Sequence, residues 1–387
     1  MKLRSIDQMP DIRGKRVLVR VDHNVEFDQE GRLKDDRKLR LSLRTLETLA
    51  KKGAKLVLMT HVGRPKGKVV ENLRTDPIAK RLQELSPALK DFEYLENVRF
   101  DPGEEGNDPA YMKKLASYGE FFVNEAFPSL HLYEEASTCG TARLLPAFAG
   151  YHLMEEVEEI SKAVRDPKRP VVLVMSGAKM ETKIPVIRRF LDIADSILLG
   201  GCIANTFVAA RGFDVGSSKY EKDAVSLAQE LMLESEKEGG AKIHIPRDGV
   251  VATEASEDAT KLDLPLEDVE GDMQIFDIGK VTVKRYSDEI AKAGTIIWNG
   301  PMGLYEFNRF SHGTKRIAEA IAEATRKGAY SMIGGGDTLD FHARYDYPLD
   351  VYSFVSSGGG AMLEFLSSEE PLPALVPLLE EKIAVVL

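Results

Sequence analysis

Charged and hydrogen-bonding side chains in the first half of the sequence follow short apolar runs, at the points where parallel strands would end. They are Asp22, Asn24, His61, Arg64 and Arg99. In a chain whose formal net charge is −10, cations gathered at several strand ends indicate a site for a small anion. Taken one at a time, each of these residues could equally belong to a solvated surface.

Glycine clusters occupy the corresponding places in the second half of the sequence. They are residues 176–177, 200–201, 300 with 303, 334–336 and 358–360. Glycine lets the backbone approach a ligand closely, and the helix N-terminus after such a turn offers free N–H donors to a phosphate. A single cluster could be ordinary turn chemistry. Five of them beyond residue 170 predict a phosphate or nucleotide site in this half.

Charged residues beside two of these clusters suit phosphate chemistry. Lys179 and Lys183 follow the Gly177 turn. On an opening helix both ammonium groups could face phosphates, or both could lie on a solvated helix face. Asp337 and Thr338 directly follow three glycines. Asp337 could hold a phosphate-bound Mg²⁺, or it could only cap the helix.

The elements that would position these residues alternate along the chain. Apolar, β-branched runs predict strands at residues 16–21, 55–60, 120–123, 170–175, 196–199, 295–298 and 329–333. Apolar residues three and four apart predict helices at residues 39–51, 77–85, 111–116, 184–193, 222–233 and 315–325. Such alternation is typical of parallel sheets covered by helices on both faces, in which ligands bind at the carboxyl ends of the strands.

Length and composition indicate a globular protein of two domains. At 387 residues the chain exceeds one typical core, and the RDPKRP stretch at residues 165–170 is a candidate boundary. The acidic balance disfavours nucleic-acid binding, and the most apolar stretch, residues 196–210, is too interrupted to span a membrane. Residues 1–13 lack the apolar core of a secretory signal, so a cytoplasmic location is expected. Cys139 and Cys202 are too few for a disulfide framework and are expected to be core residues.

Longer motifs run in order along the chain, whereas neither a GxxxxGK[ST] P-loop nor a GxGxxG after the first strand occurs. In the first half the motifs are RVDHNV from Arg20, THVGRPKG at 60–67, ENVRFDPGEE at 96–105 and VNEAF at 123–127. In the second half they are MSGAKMETKI at 175–184, LLGGCIANTF at 198–207, IWNGPMGLYEF at 297–307, IGGGDT at 333–338 and VSSGGGAMLE at 355–364. Together they closely resemble the phosphoglycerate kinase family over essentially the whole chain.

That resemblance implies two Rossmann-like three-layer α/β/α domains with mainly parallel sheets, separated by a cleft. Residues 1–165 would form a phosphoglycerate-binding domain, residues 166–366 a nucleotide-binding domain, and residues 367–387 a tail that packs back on the first domain. The implied activity is reversible phosphoryl transfer between ATP and 3-phosphoglycerate, giving ADP and 1,3-bisphosphoglycerate, a step of glycolysis. The resemblance also implies Mg²⁺ with ATP or ADP, hinge-bending closure that excludes water, and a monomer whose partners are small molecules.

The resemblance further assigns roles to individual positions. The phosphoglycerate side would consist of Asp22, Asn24, Lys38, His61, Arg64, Arg99 and His131. The nucleotide side would consist of Gly177, Ala178, Lys179, Lys183, Gly201, Asn299, Glu306, Gly335, Gly336, Asp337 and Thr338. Catalytic roles would fall to Lys38, Lys179, Gly358 and Gly359. Glu306 would contact the ribose, and Asp337 would hold the metal together with the nucleotide phosphates.

Several positions on the acid-substrate side depart from the family's pattern. Lys38 stands where the family has a catalytic arginine, and lysine keeps the charge but loses the planar fork. Leu132 stands where a phosphate-binding arginine is expected, Glu125 replaces an aspartate, and Pro128 replaces a glycine. Three functions are therefore open from the sequence: an active phosphoglycerate kinase with a rebuilt pocket, a catalytically weakened nucleotide-binding member with a regulatory role, and a kinase for a different small phospho-carboxylate.

Overall fold

The chain folds into two compact units. A computed structural model describes residues 1–132, 134–237 and 241–380. The first unit comprises Met1–Glu158 together with the C-terminal segment from Ser368, and the second comprises Glu159–Ser367. The division falls inside a single helix, Tyr151–Arg165. Each unit has its own parallel sheet and its own hydrophobic core.

The first unit is a parallel sheet with its helices. Its strands are β1 (Arg16–Arg20), β2 (Lys55–Met59), β3 (Phe92–Tyr94), β4 (Phe121–Asn124) and β5 (Ala147–Ala149). Its helices are α1 (Arg37–Lys51), α2 (Asp76–Leu85), α3 (Pro109–Ala116) and the first part of α4 (Tyr151–Arg165). The strand order is β3-β2-β1-β4-β5, and every pair is parallel. The order reverses between β1 and β4, and open α/β sheets bind ligands at the carboxyl side of such a switch point.

Helix α1 is fixed to this sheet by its apolar face. Leu39, Leu46 and Leu49 are fully buried, and their spacing places them on one side of a helix. They share a core with Val17 and Val19 of β1. Burying a side chain of this size stabilises the fold by roughly 1.5–3 kcal/mol. The first turn of α1 is thereby held in place for the contact that it makes with the loop after β1.

The second unit contains a larger parallel sheet and a small antiparallel one. Its strands are β6 (Val171–Met175), β7 (Ser196–Leu199), β8 (Lys242–His244), β9 (Asp248–Ala252), β10 (Leu262–Pro265), β11 (Gln274–Ile278), β12 (Thr295–Asn299), β13 (Tyr330–Gly334) and β14 (Phe354–Val355). Its helices are α5 (Ile184–Phe190), α6 (Gly201–Ala210), α7 (Val225–Ser235), α8 (Lys280–Ile290), α9 (His312–Arg326), α10 (Gly336–Arg344) and α11 (Gly359–Ser367). The orders are β14-β13-β12-β6-β7-β8 and β10-β9-β11. The switch point of the larger sheet therefore lies between β6 and β12.

Trp298 anchors the central strand of this larger sheet. It is fully buried in β12, where its ring meets those of Phe341 and Tyr352 edge to face. Its indole N–H donates to the carbonyl oxygen of Gly300 at 2.8 Å. A buried indole with a satisfied N–H holds the loop that leaves β12 at the switch point.

The C-terminal segment packs against the beginning of the chain. Arg4 N–H donates to the carbonyl oxygen of Leu378 at 2.7 Å, and Leu3 forms an isolated antiparallel bridge with Leu379. Residues 381–387 of the predicted tail lie outside the described residues.

The predicted fold class is confirmed, because two α/β domains with mainly parallel sheets are present. Of the two cysteines, Cys139 is buried as expected, whereas Cys202 is only partly buried. Among residues 1–132, 134–237 and 241–380, no helix has the length and apolar character that a bilayer span needs.

Candidate functional site

An ion pair lies at the carboxyl end of β1. Asp22 follows this strand, Lys38 belongs to the first turn of α1, and Lys38 Nζ is 2.9 Å from Asp22 Oδ2. Asp22 is 9% exposed, whereas Lys38 is half-buried. The pair places a cation beside the first switch point, at the position where the resemblance calls for an arginine.

Gly63 links two further residues of the predicted anion site. Its N–H donates to Asn24 Oδ1 at 2.9 Å, and its carbonyl oxygen accepts from Arg99 Nη1 at 2.9 Å. Arg99 is buried in the 3-10 turn Val98–Phe100, and its guanidinium also donates to the carboxylate of Glu135. The loops after β1, β2 and β3 are therefore joined at the carboxyl end of the sheet.

His61 is buried against an arginine. Arg20 Nη2 lies 2.8 Å from His61 Nδ1, and this ring nitrogen accepts because a guanidinium can only donate. Burial, followed by the charge of Arg20, holds the pKa of His61 well below its ordinary value of 6.5. His61 is therefore neutral near pH 7 and carries its proton on Nε2. His131 is exposed, and its charge contributes to the same shift.

A cavity of about 930 Å³ adjoins these loops and is lined in part by Asn24, Lys38 and Gly63. Pockets of several hundred Å³ suit small molecules. Arg64 is exposed directly after Gly63. The predicted acid-side residues that the structure joins at the carboxyl ends of β1, β2 and β3 are Asp22, Asn24, Lys38, His61 and Arg99.

The acid-side positions that differ from the family's pattern have different surroundings. Glu125 is buried and accepts backbone hydrogen bonds from His152 at 3.2 Å and Leu153 at 3.4 Å. These N–H groups open α4, so the Glu125 carboxyl group stabilises the start of that helix. Burial raises the pKa of Glu125 from 4.5 to about 8. Pro128 lies in a 3-10 turn, and Leu132 is half-buried.

The glycine loops of the second unit meet at its switch point. Gly300 follows β12 with a φ of +94°, and a Cβ there would collide with the carbonyl oxygen of Ser176 at the end of β6. A Cβ at Gly201 would lie 2.9 Å from Ser176 Oγ. The Cα of Gly335 would lie 2.9 Å from a Cβ at Gly359. The predicted glycine clusters therefore converge, with their backbones in close contact, at the carboxyl ends of the central strands.

Lys183 is the lysine that contacts these loops. Its ammonium donates to Asn299 Oδ1, and Asn299 Nδ2 donates to the carbonyl oxygen of Gly334 at 2.9 Å. Burial lowers the pKa of Lys183 from 10.5 to about 8, an effect that the charge of Asp337 opposes. Lys183 is therefore a partly desolvated cation near neutral pH, held at the end of β12.

Lys179 lies apart from this pair. Helix α5 begins only at Ile184, after Lys183, and Lys179 is exposed in the preceding turn with Ala178. The predicted helix face shared by the two lysines is therefore wrong. Gly177 remains tied to the loops, since its carbonyl oxygen accepts from the N–H of Ile203 at 3.2 Å.

The opening turn of α10 contains the predicted metal residue. Thr338 is buried, and its Oγ1 accepts from Gly300 N–H at 2.9 Å. The helix is capped by Gly335, so the alternative that Asp337 is the N-cap is wrong. Asp337 is exposed and within electrostatic reach of Lys183. A single open carboxylate fits Mg²⁺, which takes one or two carboxylates and completes its shell with substrate phosphates and water.

The described ranges contain no group of three or more His, Cys, Asp or Glu side chains that could hold a metal unaided. Glu306 is exposed in the segment after β12. Burial raises the pKa of Tyr305, and the charges of Glu306 and Asp337 add to that shift. Gly358 is buried, and its N–H lies 3.3 Å from Ser356 Oγ. The nucleotide-side residues named from the sequence thus lie at the end of β12 and in the segments after β6, β7, β12, β13 and β14.

Comparisons with known proteins agree over nearly all of the chain. The sequence profile described as "Phosphoglycerate kinase" matches residues 6–92 and 88–369. The phosphoglycerate kinase of Chloroflexus aurantiacus (strain ATCC 29366 / DSM 635 / J-10-fl) is 42% identical over 391 residues, covering 95% of this chain and 97% of that protein. The phosphoglycerate kinase of Dictyoglomus turgidum is 42% identical over 393 residues, covering 96% and 97%. The chain belongs to the phosphoglycerate kinase family.

Solved structures of phosphoglycerate kinases share the fold. The enzyme from Coxiella burnetii has a TM-score of 0.87 at 35% identity, covering 97% of this chain and 99% of that one. The enzyme from Pyrococcus horikoshii OT3 has a TM-score of 0.79 at 29% identity, covering 97% and 98%. Both alignments span nearly all of each chain, so the resemblance found in the motifs extends to the phosphoglycerate kinase fold as a whole.

Beside the acid-side loops of this phosphoglycerate kinase fold, the sequence analysis did not identify two buried carboxylates, Glu104 and Glu135. Glu104 accepts from Ser137 through both N–H, at 3.0 Å, and Oγ–H, while Ser137 Oγ accepts from Arg20 Nε at 2.9 Å. Burial raises the pKa of Glu104 to about 7, and the charge of Arg20 opposes that shift. Glu135 pairs with Arg99. Glu104 stands in the motif at residues 96–105, and Glu135 follows Leu132 by three residues. A charged residue in such a segment gives no sign of being buried.

Proposed function

We propose that this chain catalyses reversible phosphoryl transfer between ATP and 3-phosphoglycerate, giving ADP and 1,3-bisphosphoglycerate. The observation that carries the proposal is the convergence of Lys183, Asn299 and Thr338 on glycine loops at one sheet's switch point. A lysine ammonium among closely approaching glycine backbones suits a nucleotide polyphosphate. Membership of the phosphoglycerate kinase family supplies the acid as the second substrate.

The proposed reaction needs no catalytic base. The acceptor is a carboxylate that is already ionised near neutral pH, and its oxygen forms the new bond to the γ-phosphorus. The bond from that phosphorus to the β–γ bridging oxygen breaks, and its electron pair leaves with ADP. Negative charge spreads over the moving group, so cations and N–H donors lower the barrier. That role falls to Lys38, Lys179 and Lys183, and to the backbone of Gly358 and Gly359.

On the nucleotide side, each residue has a separate task. Asp337 would hold Mg²⁺ together with the nucleotide phosphates, and the ion when bound would neutralise charge on the phosphate oxygens. Thr338 keeps the start of α10 against the loop after β12. Glu306, which is exposed, would accept a hydrogen bond from a ribose hydroxyl.

On the acid side, neutral and charged donors are combined. His61 carries its proton on Nε2 and can donate to an oxyanion without adding charge. Arg64 is exposed and would contact the phosphate group. Asn24 and Lys38 line the cavity of about 930 Å³ in which the compact acid would bind. The acid would thus be held by donors on the loops after β1 and β2.

A coupled assay with 3-phosphoglycerate and MgATP tests the proposal. We expect turnover well above an enzyme-free blank, and a fall in kcat of about 10²–10³-fold for Lys183→Ala, the usual effect of removing one transition-state donor. Lys327→Ala, at an exposed position directly after α9, is the control and should leave kcat unchanged. Absence of turnover by the unaltered chain would reject the function.

A second candidate is phosphoryl transfer to a different small phospho-carboxylate. It is favoured by Leu132 in place of an arginine and by the Glu135 carboxylate on Arg99. Comparing kcat/KM across a series of phosphorylated acids separates the two, because the physiological acceptor gives the largest value. Nucleotide binding without turnover on any acid would instead favour the catalytically weakened, regulatory member.

The proposed enzyme is a cytoplasmic monomer whose partners are small molecules. Light scattering at assay concentration should return the mass of a single chain, and twice that mass would contradict the monomer.

A further inference from the structure

Arg99, predicted to bind the acid, is already occupied by a carboxylate of the same unit. Its Nε lies 3.1 Å from Glu135 Oε1, and its Nη2 donates to the same oxygen. Arg99 is 7% exposed and Glu135 is 5% exposed. Water screens such a pair weakly, so the two charges neutralise one another strongly. An anion that reaches this guanidinium therefore meets a cation with its charge already balanced.

The other oxygen of the Glu135 carboxylate lacks a hydrogen-bond donor. Glu135 Oε2 is buried and accepts no hydrogen bond from the described residues. A buried carboxylate oxygen without a donor destabilises the fold, because it loses its hydrogen bonds to water and no protein donor replaces them. The side chain is thus held almost wholly by Arg99, and a stronger anion for Arg99 would displace it at the loss of few other contacts.

The backbone that carries Glu135 is nevertheless fixed. Glu135 N–H donates to the carbonyl oxygen of Leu132 at 3.1 Å, Ala136 N–H donates to the carbonyl oxygen of Glu104 at 2.9 Å, and Ser137 N–H donates to the Glu104 carboxylate at 3.0 Å. Because these bonds anchor the segment, rotation of the side chain is the motion that separates Glu135 from Arg99.

We propose that Glu135 is an internal counter-anion that competes with the incoming phosphorylated acid for Arg99 and so determines the affinity and selectivity of the anion site. The inference rests on the proposed function. Leu132 offers no charge, and Glu135 follows it by three residues, so this segment makes the site more negative. A dianionic phosphate can outcompete one carboxylate for a guanidinium, whereas a second carboxylate cannot. The pair therefore selects for acids that carry a phosphate.

The test compares E135Q with E134Q, the same chemical change at the adjacent exposed glutamate. The KM for 3-phosphoglycerate is measured in the coupled assay, and its Kd is measured by calorimetry without nucleotide. E135Q should lower both about tenfold, which corresponds to about 1.4 kcal/mol, with the KM for ATP unchanged. Its affinity should also fall more steeply with salt, because the site then carries one negative charge fewer. E134Q should leave both values at those of the unaltered chain.

Unchanged or weaker binding of 3-phosphoglycerate in E135Q overturns the inference, and weaker binding would mean that Glu135 orients Arg99. E135D keeps the charge but withdraws it by one methylene, so it should bind with intermediate affinity. If E135Q does not fold, as judged by its thermal melt, the same comparison is made with E135D: tighter binding of 3-phosphoglycerate supports the inference, and unchanged or weaker binding overturns it. Measuring the Kd needs no turnover. If the chain binds the acid but does not transfer phosphate, the proposed function fails, and the Kd values of the variants still test the role of Glu135. Failure of every variant to bind the acid overturns the inference as well.

Discussion

Lys38 Nζ lies 2.9 Å from Asp22 Oδ2, so the cation at the end of β1 has a carboxylate partner of its own. Asp22 is 8% exposed at its side chain and Lys38 is 35% exposed, which leaves the ammonium one open side. An ammonium is a compact point charge, whereas a guanidinium presents a planar fork that can contact two oxyanions at once. The pair therefore limits what Lys38 can offer to a phosphate while it stays bound to Asp22.

Lys38→Arg should change turnover with 3-phosphoglycerate more than it changes nucleotide affinity. An arginine can keep Asp22 and still donate to the transferring phosphate, so we expect kcat to rise. Lys38→Ala should lower kcat/KM for the acid by about 10²–10³-fold, since it removes one donor and leaves Asp22 unpaired. Steady-state kinetics measure both, with Lys51→Ala at the exposed end of α1 as control. Unchanged kinetics in both Lys38 variants would mean that this residue is not at the transferring phosphate.

Leu132→Arg should strengthen binding of the phosphorylated acid. Leu132 is half-buried and stands where the resemblance predicts a phosphate-binding arginine, so the substitution would supply a charged donor. A hydrogen bond to a charged group contributes about 1.5–3 kcal/mol, so the KM for 3-phosphoglycerate should fall at least about tenfold. Leu132→Gln, similar in length but uncharged, is the control. An equal effect from both variants would indicate that charge is not the cause.

Comparing Gly335→Ala with Gly328→Ala should distinguish the effect of backbone strain on stability from an effect on the nucleotide site. Gly335 has a φ of +106° and Gly328 a φ of +98°, so both alanines should destabilise the fold by about 1–3 kcal/mol. A Cβ at Gly328 meets nothing within 4 Å, whereas one at Gly335 would lie 2.8 Å from Asn299 Nδ2. Only Gly335→Ala should therefore weaken ADP binding, measured by calorimetry beside urea unfolding of both variants. Equal ADP affinities would contradict the placement of Asn299 at the nucleotide.

The central strands could be predicted because strands buried on both faces read as continuous apolar runs. β1 and β6 were predicted to within a residue at their ends. The edge strand β3 was missed because it is only three residues long and half-buried. The antiparallel strand β10, Leu262–Pro265, is mostly exposed and contains an aspartate and a proline, residues that sequence reasoning treats as loop.

The site was predictable where glycine marks a close approach and unpredictable where distant side chains pair. The start of α5 at Ile184 was also predictable, since Pro185 follows it and proline favours the first turn of a helix. The contact of Arg99 with Glu135 joins residues 36 positions apart, and no local pattern encodes such a pairing. Predicting it requires the loop geometry that the folded sheet alone supplies.

Glu125 should make the fold less stable as the pH rises. Burial raises the pKa of Glu125 from 4.5 to about 8, so the folded chain holds a proton that the unfolded chain has released. Its stabilisation is complete below pH 4.5 and is lost as the pH rises through about 8. Urea unfolding across this window should show a loss of at least about 1.4 kcal/mol, the value of one pKa unit. Glu125→Gln should flatten the profile, and the exposed control Glu93→Gln should not.

Lys183 should make nucleotide affinity depend on pH. Burial lowers the pKa of Lys183 from 10.5 to about 8, so its ammonium is charged below that value and neutral above it. A phosphate bound to Lys183 favours the charged form and raises this pKa again. Above about pH 8, the Kd for MgADP should therefore rise by up to about tenfold per pH unit.

Calorimetry in two buffers of different ionisation enthalpy measures the proton taken up on binding, and uptake should approach one proton per nucleotide above pH 8. Lys183→Arg keeps its charge throughout this range, so its affinity should be flat with pH even if the new side chain fits Asn299 less well. Lys327→Arg, at the exposed position directly after α9, should keep the slope of the unaltered chain. A flat profile in the unaltered chain would mean that the nucleotide phosphates do not contact Lys183, and the nucleotide site would then have to be placed elsewhere in the second unit.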